Sequence, residues 1–315
     1  MEMKRREFLT RSIAGMGGIL IGSGCQGIAQ HKPVKHDPYE IVTLGKTKIK
    51  TSRVGLGTGM RGGNRSSNHS RMGQEKFTKL ALGCYERGIN LFDAADLYGT
   101  HPVLANAMKN LRREDYIISS KIWFRKGGLP EPERPSPDIV VERFLKELKT
   151  DYIDLISFHC VVSEKWPEEL NDQMNVVEKL KKRGLVRAHG VSSHSLAGIT
   201  RCIDEPWVDT LHARINPYAL SMDVKTIEEV PKVAKVLKAV RKKGKAVIGM
   251  KIVGEGKLGN SPEKLDKSIQ YALESGCVDA MVVGFEKVEE VDDFAMRARK
   301  VTIGQGMDNL TSMVA

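Results

Sequence analysis

The sequence predicts an α/β fold, a (β/α)8 TIM barrel with a short N-terminal hairpin, from three observations. Eight short apolar runs alternate with longer segments, most of them of helical period. The runs are continuously apolar rather than alternating, as strands buried on both faces must be. All of this fits into about 250 residues without a domain-scale linker, the length such a barrel needs.

The elements follow in order. Residues 39–53 read as a hairpin with Gly45 near its turn. The barrel runs are 54–58, 89–94, 116–121, 153–159, 186–192, 208–216, 246–253 and 279–284. Helical period marks 74–87, 137–149, 168–183, 232–243, 261–274 and 288–300. Gly88, Gly184, Gly244 and Gly276 follow four of these, where a left-handed cap is wanted. An open doubly wound sheet is the alternative, but it calls for G-x-G-x-x-G after the first strand. Gly55-Leu56-Gly57-Thr58-Gly59-Met60 misses that spacing and reads as a tight turn with its backbone near a ligand.

Composition narrows the function classes. The 315 residues are 41% hydrophobic and carry a net charge of +11. Thirty glycines and twelve prolines without a repeat exclude collagen-like and low-complexity chains. The five cysteines are too scattered for a disulfide framework, and no C-x-x-C or strand-end H-x-H suggests a metal site. No apolar run reaches the roughly 18 residues of a membrane span. Lys146, Lys149, residues 179–183, 241–243 and 297–300 place basic charge in predicted last turns. Glu168, Glu169, Glu263, Glu289 and Glu290 fall in first turns, as the helix dipole favours. No basic stripe interleaved with aromatics remains, so nucleic acid is not an expected partner.

The N-terminus, Lys4-Arg5-Arg6-Glu7-Phe8-Leu9 before a weakly apolar Gly-rich stretch, resembles a twin-arginine signal. The expected division is a signal segment over 1–30, the barrel over 31–305 and a tail over 306–315. The twin-arginine translocation machinery is then a partner. Cleavage is expected after Ala29, with a lipid anchor on Cys25 as the alternative, and the destination is periplasmic or membrane-anchored. Residues 1–29 hold four basic and two acidic side chains, so most of the net charge belongs to the barrel.

Strand C-termini of such a barrel converge on one mouth. Asp93 closes the second run, with Tyr98 five residues on; Lys121 closes the third and His159 the fourth. A buried lysine pairs with an aspartate rather than stand alone. A tyrosine near pKa 10 is a poor acid, and a nearby Lys121 cation, held by Asp93, is expected to lower it. Tyr98 then protonates a carbonyl oxygen that His159 orients. None of the four supplies hydride, so a cofactor is required.

Over roughly residues 39–300 the chain resembles the aldo-keto reductase superfamily. The resemblance rests on Val54-Gly55-Leu56-Gly57-Thr58, Gly88-Ile89-Asn90-Leu91-Phe92-Asp93 through Tyr98-Gly99, Ser119-Ser120-Lys121 and Gly190-Val191-Ser192. It implies a barrel that binds NADP(H) or NAD(H) and interconverts small carbonyl compounds and alcohols, with Asp93, Tyr98, Lys121 and His159 as the catalytic tetrad. It also implies cofactor contacts from Gly57, Thr58, Asp93, Ser192, Ser193, His212, Met250, Lys251, Leu258, Glu286 and Glu290. Three positions depart from the family: Ser193 stands for the usual Asn, His212 for Gln, and Met250 for a stacking aromatic. Glu286, Glu289 and Glu290 occupy the region where relatives grip a 2′-phosphate, which weakens NADP and favours a ribose hydroxyl. Export outside the cytoplasmic membrane implies that the cofactor leaves already bound.

Trp123 and Phe124 are expected beside the substrate, with Trp166 nearby. Arg61, Arg65, Arg71, Arg125, Lys126 and Arg134 make a basic rim suited to anionic substrates. The competing function is a non-catalytic nucleotide-binding barrel, serving as a redox sensor or interaction module.

Overall fold

The computed structural model describes residues 36–301; the expected signal, Cys25 and the C-terminal tail lie outside them. Eight parallel strands close into a barrel. They are β3 (Val54–Gly57), β4 (Leu91–Asp93), β5 (Ile117–Ile122), β6 (Ile153–Val161), β7 (Val186–Ser193), β8 (Thr210–Arg214), β9 (Ala246–Met250) and β10 (Ala280–Val283), with β10 pairing back onto β3. This is the predicted barrel, run for run.

The hairpin is present as β1 (Ile41–Thr43) and β2 (Lys50–Ser52), paired antiparallel. Its turn donates from Lys46 N to the carbonyl of Gly244, just before β9. Leu44 and Ile49 join Leu91, Ile117, Leu155, Ala188, Ala246 and Ile248 in one apolar cluster. The hairpin therefore plugs the N-terminal end and leaves the other end open. A second, larger cluster lies between the strands and the helices around them.

Among the described residues one helix follows each strand: α2 (Gln74–Glu86), α3 (His101–Met108), α4 (Pro137–Leu148), α6 (Asn171–Lys182), α7 (Leu196–Arg201), α8 (Val230–Lys242), α9 (Pro262–Glu274) and α10 (Val288–Ala298). Short α1 (Asn68–Arg71) and α5 (Trp166–Glu169) precede α2 and α6. Sequence period misses α3 and α7 because helices of eight and six residues hold too few positions to show it. The 168–183 segment breaks at Leu170 into α5 and α6. The run at 246–253 stops at Met250, since Lys251 turns to a left-handed φ of 61°. Gly88, Gly184, Gly244 and Gly276 all take the expected left-handed conformation.

Gly190 in β7 shows how tightly the wall is packed. A Cβ there would stand 1.8 Å from the carbonyl oxygen of Thr210 in β8. Gly190→Ala is therefore expected to force the two strands apart and cost about 2 kcal/mol or more. Denaturant unfolding checks this; an unchanged midpoint would refute the close approach.

Candidate active site

The four tetrad residues meet at the open end. Asp93 is the last residue of β4 and pairs in register with Gly57 of β3 and Ser119 of β5. Lys121 Nζ donates to both Asp93 carboxylate oxygens at 2.6 Å and to the carbonyl of Ala94 at 3.0 Å. Ser119 Oγ donates to Asp93 Oδ1 at 2.8 Å, and His212 Nε2 lies 3.2 Å from the same oxygen. Thr58 donates to the Asp93 carbonyl through both N and Oγ1, each at 2.9 Å.

Tyr98 ends a 3-10 turn (Asp96–Tyr98) after β4. Its hydroxyl lies 3.4 Å from His159 Nε2, and Lys121 Nζ lies 5.4 Å from its ring centroid. The turn is pinned by Asp96, a buried carboxylate paired with Arg65 at 3.0 Å and Arg143 at 2.9 Å. Arg143 in turn holds Glu147, which holds His101, which holds Ser120 of β5. The glycine-rich loop after β3 supplies a shelf: a Cβ on Gly59 would stand 2.3 Å from the Tyr98 ring. The backbone approach expected of that loop is made first to this ring.

Burial governs the titrating groups. It raises Asp93, but the Lys121 cation and His212 outweigh it and hold the carboxyl well below its usual range. Burial also pushes Tyr98 up, and the Asp93 charge pushes it further. His159 is driven well below its ordinary value by burial and then by Lys121, so its imidazole is neutral. The expected acidification of Tyr98 by Lys121 is thus overturned for this state. All three ammonium hydrogens are committed to Asp93 and Ala94, and none reaches the phenol.

A trough leads away from the tetrad. Its inner part, about 380 Å³, is lined by Gly57, Asp93, Tyr98, Met250 and Lys251. Its outer part, about 660 Å³, is lined by Glu286, Glu290 and Asp293 near the start of α10. Met60, Arg61, Val253, Glu255, Lys257 and Gly284 line both, so the two are continuous.

A sequence profile of the Aldo/keto reductase family matches residues 53–268. The chain belongs to this family. It is 26% identical over 298 residues to the uncharacterised oxidoreductase YqkF of Bacillus subtilis, covering 82% of this chain and 92% of that one. It is 28% identical over 189 residues to the NADH-specific methylglyoxal reductase of Escherichia coli, covering 55% and 58%. The holo structure of the aldo-keto reductase AKR11C1 from Bacillus halodurans superposes with a TM-score of 0.69 at 19% identity, covering 89% and 97%. This aldo-keto reductase is accordingly an oxidoreductase.

Within it, Gly57, Asp93, Met250, Lys251, Glu286 and Glu290, six of the positions expected to contact a cofactor, stand on the trough wall. Ser192 is buried with its hydroxyl unpartnered, in register beside His212. Thr58, Ser193 and His212 spend side-chain contacts on the protein: Thr58 on Asp93 O, Ser193 on Val161 O and Ser195 O, His212 on Asp93. Leu258 is buried between Lys257 and Gly259, which line the outer trough. Trp123 lies edge-on to His159 at 5.5 Å, whereas Phe124 packs on Phe158 and Trp166 is buried at 1% exposure against Trp207. Sequence reasoning missed Cys160 and His194, which meet beside His159. Each directly follows a residue already singled out, so strand-end position was the available signal.

Removing Lys121 should expose what the pair does. Lys121→Met leaves the Asp93 carboxylate buried without its cation and is expected to cost about 3–5 kcal/mol near neutral pH. In wild type the depressed Asp93 contributes stability above the unfolded carboxylate pKa, lost as pH falls through the folded value. In the variant burial is opposed only by Ser119 and His212, so Asp93 titrates higher and the deficit shrinks toward acid. Urea unfolding at pH 7 and pH 5 checks this; a deficit independent of pH would contradict it.

Proposed function

We propose that this oxidoreductase interconverts a small carbonyl compound and its alcohol with a nicotinamide dinucleotide. The observation that carries the reading is Tyr98 Oη within 3.4 Å of His159 Nε2, on a trough wall shared with Asp93 and Met250. The orphaned Ser192 hydroxyl fits an amide-bearing ring, and the long trough fits a dinucleotide. When bound, the cofactor supplies or accepts the hydride.

The chain's own residues handle the proton. His159, held neutral by burial, orients the carbonyl oxygen through Nε2, the ring nitrogen nearest the Tyr98 hydroxyl. Tyr98 gives its phenolic proton to that oxygen, completing the hydroxyl, and recovers one from water. The phenolate so formed is where the Lys121 charge, 5.4 Å from the ring, acts most strongly. In the alcohol direction the same phenolate accepts the proton.

Tyr98→Phe is expected to abolish nicotinamide absorbance change across a panel of aldehydes and ketones while thermal stability is retained. Equal rates would remove Tyr98 from its role, whereas a wild type without turnover across the panel would favour the non-catalytic barrel. Because burial raises Tyr98 and lowers His159, both keep their form across neutral pH. The kcat/KM for reduction should stay flat from about pH 6 to about 9, without a break near the ordinary imidazole value of roughly 6.5. A stopped pH series showing such a break would place an imidazolium in the reaction.

Acidic side chains support NADH over NADPH. Glu286 accepts from Asn68 Nδ2 at 2.7 Å, and Glu290 accepts from Glu286 N at 2.8 Å, at the outer end of the trough. Carboxylates there repel a 2′-phosphate and accept from a ribose hydroxyl. Glu290→Gln combined with Glu286→Gln is expected to tighten NADPH binding by about tenfold, on the order of 1.4 kcal/mol, while NADH does not gain. Fluorescence titration of both nucleotides measures the ratio; wild-type protein that strongly prefers NADPH would end this assignment.

A further inference from the structure

We infer that Arg125 forms an anion subsite on the substrate side of His159, and that the substrates carry a carboxylate as well as the reacting carbonyl. This rests on the carbonyl–alcohol reading above and specifies its substrate class.

Half of the basic rim expected from sequence is spoken for. Arg65 is committed to Asp96 and Glu131. Arg71 is committed to Ser66 and Asn68. Arg134 donates to the carbonyls of Arg125, Gly127, Glu131 and Glu133. Arg61 lines both the inner and the outer part of the trough, whereas Arg125 lines neither. Lys126 is exposed.

Arg125 is different. It is half-buried, and its Nη1 makes only long contacts to Cys160, 3.3 Å to Sγ and 3.4 Å to the carbonyl oxygen. Among the described residues no carboxylate pairs with it. Cys160 directly follows His159, in a bulge of β6 where its φ is 70°, so Arg125 touches the residue next in sequence to the imidazole proposed to orient the carbonyl. Cys160 Sγ lies 3.1 Å from His194 Nδ1, and the His194 ring lies 6.4 Å from that of His159.

The neighbouring charges agree. His194 is pushed down to about 3, by burial and then by the cations of Arg214, Lys251, Lys121 and Arg125. It is neutral and offsets none of that positive field. Arg214 is balanced by Asp223, Lys251 by Glu255 and Lys121 by Asp93. Arg125 is left as the uncompensated cation of this group. A guanidinium has five donors, and only one nitrogen of Arg125 is engaged, weakly; a carboxylate takes a free edge of the fork. Trp123, edge-on to His159, supplies an apolar flank for the carbons between the two groups.

The full-length protein with NADH is tested on 4-oxobutanoate and on its methyl ester, which differ chiefly in charge. The acid is expected to exceed the ester in kcat/KM by about tenfold or more. Arg125→Gln should erase that advantage, mainly through KM, and leave the ester within about twofold. Arg125→Lys should recover part of it, and added salt should erode it in wild type. Equal use of acid and ester by wild type, or an equal loss on both in Arg125→Gln, overturns the subsite while the reductase reading stands. If neither aldehyde is turned over, calorimetric titration with succinate decides the subsite without turnover, and the wider carbonyl panel decides the reductase reading. Saturable binding weakened about tenfold by Arg125→Gln sustains it; no binding, or equal binding, overturns it.

Discussion

Inside the barrel the Asp93 and Lys121 side chains are 5% and 0% exposed, and each is tolerable there only because of the other. Removing either from water costs several kcal/mol, which the contact recovers only if the remaining donors and acceptors are met. They are met here by Ser119, His212 and the Ala94 carbonyl. The pair also ties β4 to β5 at the end where the strands open, while Thr58 ties β3 to the same aspartate. The geometry of the mouth is thus a consequence of a solvation constraint.

Tyr98 is placed by a second set of contacts that depends on the first. Its turn leaves β4 directly after Asp93 and is pinned through Asp96 by arginines from the loop after β3 and from α4. Asp96 is itself buried, so the two guanidinium groups satisfy a carboxylate that could not stay charged unpaired. A chain of polar contacts runs on through Glu147 and His101 to Ser120, the neighbour of Lys121. Tyr98 and Lys121 are therefore positioned from opposite ends of one network.

The features legible in sequence were those with a long or repeated signal. Continuous apolar runs marked all eight strands, and four cap glycines marked helix ends, because burial and left-handed φ restrict residue choice locally. Asp93, Tyr98, Lys121 and His159 were legible because strand ends share one face of the barrel. What was illegible depended on partners distant in the chain. Nothing near His212 in sequence says that it turns to Asp93, more than a hundred residues earlier, as well as standing beside Ser192. Nothing near Arg65 or Arg134 says that one is consumed by Asp96 and the other by loop carbonyls, leaving Arg125 unbalanced.

The same distinction explains why residues that do meet at the barrel mouth led to an electrostatic expectation the structure does not support. Proximity of Lys121 to Tyr98 suggested an acidified phenol, yet the ammonium's hydrogens point elsewhere and the nearest carboxylate opposes ionisation. A resting phenol that holds its proton is still a usable acid if charge on its oxygen is favoured only as transfer proceeds. Lys121 meets that condition, since a cation 5.4 Å from the ring gains little from a neutral phenol and much more from a phenolate in a water-poor site. Stabilisation that appears with the developing charge lowers the barrier without first stabilising the ground state. On the proposed mechanism the buried pair therefore serves the fold at rest and the proton transfer only while it happens.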